Sequence, residues 1–386
     1  MKILMVSIPN HHFFQWVDQL KDSGHDVIWF DASDGGSQVE RINWVTQIKG
    51  WKLKWNFPMR HTVKHYFPKS YALLQKYNER DITTVFENII REYQPDIVHS
   101  FEMRLAGLPI LAVMQKHNSI AFIYSSWGSD LFYYPQLGIH EKAVSNFLER
   151  VDYLITDCQR DYNIAVANGY TNAFLGVYPG NGGIAIDTAK IKGCEQRDTL
   201  IIKGYDDGVG MASKVIDALE LVSIALIQSY NIVVYSADAS IVCQLKSKEY
   251  FNSLKVRVIN RGAFISNPEL LAIMGQSILH IGNSISDGMP NALLEAMGMG
   301  AFPIQSNPGK VSEEVIENGV NGILIRNPLD VQEIANSIEW AIVNPGVRAQ
   351  AQKFNIDLIQ NKCNRAALKK EIIVMYEKCI LSKPLV

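Results

Sequence analysis

Ser284-Ile285-Ser286-Asp287-Gly288-Met289-Pro290-Asn291-Ala292-Leu293-Leu294-Glu295-Ala296-Met297-Gly298-Met299-Gly300 follows the short apolar run Ile278 to Gly282. The run reads as a buried strand. Pro290 stands where the first residue of a helix is expected, because its missing N–H costs nothing there. Gly288, just before it, lets backbone approach a ligand closely. A helix start of this kind leaves N–H groups without intrahelical acceptors, aimed at the space beyond the strand ends, and favours a phosphate. The backbone of Gly288, Met289, Pro290, Asn291, Ala292 and Leu293 is therefore the expected cradle. Asp287 precedes the helix and Glu295 lies five residues into it, about 7 Å along the axis. Carboxylates repel phosphate, so their useful partners are hydroxyls: a sugar at Asp287 and a ribose at Glu295. The plainer alternative makes Asp287 a helix cap and Glu295 a surface residue, but apolar Ala292, Leu293, Ala296 and Met297 place Glu295 beside a buried face.

Outward from this stretch, β-branched runs alternate with helix-period segments, the pattern of parallel sheets with crossover helices. Strands are expected at Lys2 to Ile8, Asp26 to Phe30, Asp96 to Phe101, Ala121 to Trp127 and Tyr153 to Cys158. Phe13, Phe14, Val17 and Leu20 recur at helical spacing, with Gly24 placed to end that helix. A second series runs through Thr199 to Ile202, Asn231 to Ser236, Val256 to Asn260, Ile278 to Gly282, Ala301 to Gln305 and Gly322 to Ile325. The Gly-rich Pro179 to Gly183 and the polar Lys190 to Asp198 separate the two. The expected organisation is α/β: two doubly wound, Rossmann-like domains, 1–180 and 199–364, facing a cleft. A linker, 181–198, joins them, and a last helix, 365–386, packs back toward the first domain.

The segment from Ser286 to Ile325 resembles the donor-binding signature of retaining glycosyltransferases of family 4, which have the GT-B fold. Those enzymes carry two Glu in a frame like E-G-x-P-x-x-L-L-E-A-M-A, filled here by Asp287, Gly288, Pro290, Leu293, Leu294, Glu295, Ala296 and Met297. The resemblance implies that Asp287, shortened from Glu, contacts the donor sugar and that Glu295 holds the ribose hydroxyls. Thr199 to Tyr205 is similar to the family's first strand and diphosphate loop in that domain, with Lys203 as the cation and Gly204 beside it; otherwise Lys203 is a solvated rim residue. The family's second cation has no counterpart at Gly208-Val209-Gly210-Met211, leaving Lys214, Arg261 or Lys310 as substitutes. Arg261 to Phe264 resembles the base-reading loop, although Phe264 is equally readable as core.

In the first domain, Ser125 to Asp130 is similar to the family's H-G-x-D turn with Trp127 in the His position. Asp130 is an acceptor-side candidate or a loop cap. Asn10, His11 and His12, after the first strand, suggest a polar wall, which His99 and Glu102 would extend. No third ligand is spaced for a metal beside the paired histidines. His280, in an apolar strand, is expected to be a satisfied core residue.

The 386 residues carry 37 Lys+Arg and 39 Asp+Glu, a net charge of −2, which argues against a protein that coats nucleic acid. Five scattered cysteines without a C-x-x-C pair read as reduced and cytosolic. No G-x-G-x-x-G follows the first strand, against a dehydrogenase. The charge is nevertheless segregated: 41–78 holds eight Lys/Arg and no acid, interleaved with Trp and Tyr. Elsewhere 29 basic and 39 acidic residues remain, a net −10. Such a segment suits an anionic membrane surface or a phosphorylated acceptor; the alternative is an ordinary solvated insertion.

The resemblance implies a retaining hexosyltransferase without a resident cofactor, and because no acidic D-x-D triplet appears in the sequence, it is expected to be metal-independent. It would use a nucleoside diphosphate sugar, UDP ahead of GDP. The expected acceptor is a hydroxyl of a glycan or lipid-linked molecule, in cell-surface polysaccharide or O-antigen assembly at the cytoplasmic side of the membrane. A non-catalytic nucleotide-sugar-binding protein and a nucleotide-sugar epimerase of the same fold remain as alternatives, because Asp287, Met211 and Trp127 depart from the pattern.

Overall fold

Strands buried on both faces need helices on both sides, and near-continuous apolar runs such as Ile3 to Val6 and Ile278 to Ile281 form that kind of strand. A computed structural model describes residues 1–263 and 265–381, the side chains of His61 and Leu381 apart. Two units result. One contains 1–157, 161–182 and 369 onward; the other contains 158–160 and 183–368.

The first unit is built on seven parallel strands: β1 (Lys2–Ser7), β2 (Asp26–Asp31), β3 (Thr46–Ile48), β4 (Ile97–Phe101), β5 (Ala121–Ser125), β6 (Tyr153–Thr156) and β7 (Ala173–Val177). Their order is 3-2-1-4-5-6-7, so the winding reverses between β1 and β4. The edge strands β3 and β7 lie outside the sequence expectation. β3 is only three residues long and β7 is interrupted by Gly176 at φ 126°, so neither offers a run long enough to be seen.

The helix after β1 is shorter than its periodicity suggests. It spans His11–Val17 and tightens into a 3-10 turn at Asp18–Leu20, so Gly24, at φ 78°, serves the turn into β2 rather than a helix end. The helix Arg365–Leu381 contributes Tyr376 to this unit's core, where the hydroxyl accepts from Trp16 Nε1–H at 3.0 Å. No helix among the described residues is long and apolar enough to cross a membrane.

The second unit holds β8 (Thr199–Lys203), β9 (Asn231–Ala237), β10 (Lys255–Asn260), β11 (Ser277–Gly282), β12 (Phe302–Ser306) and β13 (Ile323–Ile325). All are parallel in the order 10-9-8-11-12-13, and the winding reverses between β8 and β11. The stretch 184–198 is built into this unit rather than left as a tether. Ile184 is buried, and the Arg197 guanidinium donates to the carbonyls of Lys192, Ser277 and Met299 at 2.7 to 2.9 Å. Polar composition alone suggested a linker because two of the acceptors of Arg197, on Ser277 and Met299, lie far along the chain.

Candidate functional site

In an open doubly wound sheet the crevice opens at the carboxyl ends of the strands where the order reverses. In the second unit that position lies at the ends of β8 and β11, and the loops after both strands are joined there. Gly210 and Ser284 form an antiparallel bridge. The Met211 N–H donates to the Asn283 carbonyl, and the Ile285 N–H to that of Val209, each at 3.0 Å. Gly204 has to be glycine for packing, since a Cβ would come 2.7 Å from Ala237 Cα.

The helix after β11 spans Asn291–Gly298, with Pro290 as its cap residue, one place earlier than expected. Leu293 is wholly buried, and Met289 nearly so, in a cluster with Leu294, Met297, Val311 and Ile359. Of these two residues only the backbone can therefore face a ligand, whereas Asn291 and Ala292 are partly exposed. The Gly288 N–H lies close enough to the Asp287 carboxylate to favour its charged form. The main-chain cradle expected from the sequence thus rests on an apolar floor.

Lys203 ends β8, and its ammonium lies 3.9 Å from Asp287 Oδ2 and 4.8 Å from the centre of the Tyr205 ring. Arg261 lies over the same ring at 4.2 Å and pairs with Asp207 and Asp238 at 3.1 Å. Two cations thus share one aromatic ring. Arg261, one of the proposed substitutes for the missing cation, is brought to the same ring as Lys203, whereas among the described residues neither Lys214 nor Lys310 forms an ion pair here. Phe264 lies outside the described residues.

Glu295 is only 8% exposed, and its Oε1 accepts from Asn267 Nδ2 at 2.9 Å. Burial pushes its pKa up to about 7, against the pull of the Asn267 hydrogen bond and the Lys203 ammonium. Burial likewise raises Asp287, opposed by Lys203, the Gly288 N–H and Arg160. His280 is driven down to about 3 by burial and then by Lys203, and its Nε2 meets the Tyr235 hydroxyl at 3.0 Å. It is a core residue, as its apolar strand suggested, but only half satisfied, because Nδ1 is buried without a hydrogen-bond partner. One ammonium therefore acts on both carboxyls, although Lys203 and Asp287 are far apart in sequence.

A raised folded pKa makes a definite stability statement. For Glu295 the folded state holds the proton more tightly than the unfolded chain. The associated stability is complete below the ordinary Glu range and is lost as pH rises through about 7. Its upper bound is roughly 3 kcal/mol. The ligand-free wild type should therefore lose more stability in urea denaturation between mildly acidic and mildly alkaline pH than Glu295→Gln. Parallel pH profiles would mean that Glu295 is already ionised in the fold.

Arg160 escaped sequence reasoning. Its guanidinium donates to the carbonyls of Asp287 at 2.8 Å and Pro308 at 2.9 Å, holding the turn that carries the carboxylate. Asn267 and Tyr235 were also missed. Nothing local in Cys158-Gln159-Arg160 or Ser266-Asn267 marks them.

In the first unit the acceptor-side candidates separate. Asn10 caps its helix, its Oδ1 accepting from the His12 N–H at 2.7 Å, while His11 and His12 are exposed. His12 meets the Trp127 ring edge-on at 6.4 Å. His99 and Asp130 are enclosed rather than presented on a wall. His99 lies between the Tyr376 hydroxyl at 2.6 Å and Ser125 Oγ at 2.8 Å, and burial holds its pKa well below the usual range. Asp130 accepts from Tyr124 OH at 2.5 Å and from the N–H groups of Met103 and Trp127. It serves as a buried loop cap, and burial, with Glu102 nearby, raises its pKa. Polar residues at strand ends looked available because sequence does not show which loop covers them.

Family models match in succession along the chain: "Glycosyl transferase 4-like" over 2–158 and "Glycosyl transferases group 1" over 210–357. A comparison with curated protein sequences found no match. Among solved structures, a glycosyltransferase from Rickettsia africae aligns at TM-score 0.65 and 15% identity, covering 99% of each chain. Sucrose-phosphate synthase from Thermosynechococcus elongatus aligns at 0.69 and 13%, over 99% of this chain and 100% of that one. Anabaena HepE in complex with UDP and glucose aligns at 0.67 and 14%, over 98% and 100%. With two parallel doubly wound sheets and these successive matches, the chain belongs to the group 1, family 4-like glycosyltransferases of GT-B fold.

Proposed function

We propose that this glycosyltransferase transfers a hexose-type sugar from a nucleoside diphosphate donor, UDP ahead of GDP, to a hydroxyl of a glycan or lipid-linked acceptor. Transfer retains the anomeric configuration and requires no metal. The observation that carries the reading is the Lys203 ammonium at 3.9 Å from Asp287, with its field also reaching Glu295, beside the start of the helix Asn291–Gly298. The solved structure of Anabaena HepE with UDP and glucose supports a uridine donor.

Cleavage of the sugar–phosphate bond leaves negative charge on the β-phosphate. Lys203 and the backbone N–H groups near Pro290 stabilise that charge without reorganising, the kind of contribution that amounts to several kcal/mol. Asp287 accepts from donor-sugar hydroxyls, and Glu295, once ionised, accepts from the ribose. The departing phosphate oxygen takes the acceptor proton on the same face of the sugar. The chain would act on the cytoplasmic side, in assembly of a cell-surface polysaccharide.

The test is release of nucleoside diphosphate. Purified protein is first screened with UDP- and GDP-sugars by thermal shift, and each stabilising donor is then incubated with glycan acceptors in the presence of a chelator. Release that depends on an acceptor is the expected result. Stabilisation without release in any combination would leave a binding protein, and conversion of the donor without acceptor would leave an epimerase.

A further inference from the structure

The insertion between β3 and β4 places its apolar side chains on the outside. Trp55, Tyr66, Phe67, Leu73, Leu74 and Tyr77 are 51% to 69% exposed. An apolar patch of this kind on a soluble surface marks an interaction site. Two helices carry most of it, Arg60–Tyr66 and Pro68–Asn78. In the second, Leu73, Leu74 and Tyr77 fall on one face by their spacing, and the adjoining strip, Tyr71 and Asn78, is buried. The helix is thus anchored through one side and offers its greasier side outward.

The base of the excursion is fastened. Asn78 exchanges two hydrogen bonds of 2.8 Å with the Trp55 backbone, the Lys54 N–H donates to the Asn78 carbonyl, and the Arg80 N–H donates to that of Lys52. Exposure of the stripe is therefore a built feature of the insertion.

Charge decides the occupant. Lys69 and Lys76, seven residues apart, line one edge of the stripe, and Lys64 lies on the preceding helix. All three are exposed, and none forms an ion pair among the described residues. Arg41, Lys49 and Lys52 pair with Asp18, Asp31 and Glu79, so the positive charge left over sits mainly on the two helices, which carry no acid, and would turn them toward an anionic surface. A second copy of the chain would bring the same lysines against each other. Aromatic and Leu side chains edged by lysines are the composition of helices that lie in the headgroup region of a bilayer, where Lys stems stretch toward phosphates.

We propose that the helices Arg60–Tyr66 and Pro68–Asn78 dock this protein onto an anionic lipid bilayer, with Phe67, Leu73, Leu74 and Tyr77 entering the interface and Lys64, Lys69 and Lys76 meeting lipid phosphates. The surface deepens the sugar-transfer reading only in bringing a lipid-linked acceptor within reach. The docking itself is independent of the donor site.

The test is flotation of the full chain with phosphatidylcholine vesicles, with and without phosphatidylglycerol, at low and at high salt. The wild type should float only with phosphatidylglycerol and less at high salt. Lys64→Glu/Lys69→Glu/Lys76→Glu should lower the bound fraction about tenfold or more. Leu73→Ser/Tyr77→Ser should also abolish binding while keeping the wild-type melting temperature, because these side chains face solvent. Both variants should keep the thermal shift given by UDP, which separates failure of docking from failure of the donor site. Absence of flotation by the wild type at low salt overturns the proposal, as does equal flotation of both variants. Concentration-dependent self-association removed by Leu73→Ser/Tyr77→Ser, without vesicle binding, overturns it in favour of a dimer surface.

Discussion

Lys203→Ala should lower turnover by about a hundredfold or more with little change in melting temperature. The lysine side chain is a quarter exposed, so its removal leaves no closed cavity. Its charge is what disappears. The proposed leaving diphosphate loses its nearest side-chain cation, and Asp287 and Glu295 lose an ammonium that holds their raised pKa values in check. Both carboxyls should then bind protons still more readily, so the residual activity of the variant should peak at a higher pH than that of the wild type. Initial rates of nucleoside diphosphate release across pH measure both effects. A near-normal rate would remove Lys203 from the chemistry and leave it as a rim residue.

Glu295→Ala should be comparably damaging, again about a hundredfold or more in turnover with a nucleoside diphosphate sugar. The carboxylate is buried, so truncation also leaves Asn267 without the acceptor it now has at 2.9 Å. Glu295→Gln separates the two effects. It keeps the volume and an oxygen for Asn267 but cannot ionise, so it should retain the fold and lose donor binding. In the wild type, donor affinity should rise as pH passes through about 7, because hydroxyls are better held by the ionised carboxylate. Calorimetry with UDP on both sides of neutrality checks this. Equal affinities for wild type and Glu295→Gln at alkaline pH would exclude the ribose role.

The local half of the site was legible in the chain. Asp287, Gly288, Pro290 and Glu295 occupy one continuous turn and helix, and helical geometry ties their spacing to their positions. The other half was legible only as residue types. Arg261 was one of three cations in view, and the structure sets it over Tyr205 at 4.2 Å because the end of β10 comes to lie near the loop after β8. Arg160 was invisible: its two acceptors are main-chain carbonyls, and backbone acceptors exist at every residue. His99 and Asp130 were read as presented, and they are enclosed, because a polar side chain at a strand end carries no sign of whether another element will cover it.

By itself the sequence determined the alternation of strand and helix in two series, the helix start after β11 and the basic character of 41–78. Each of these depends on neighbours within a few turns of chain. Tertiary structure decided which strand ends lie side by side, and so which cation faces Asp287. It also decided that Glu295 titrates near neutrality and that the apolar side chains of Pro68–Asn78 point outward. Strand order and desolvation are sums over residues distant in the chain, and local periodicity contains neither.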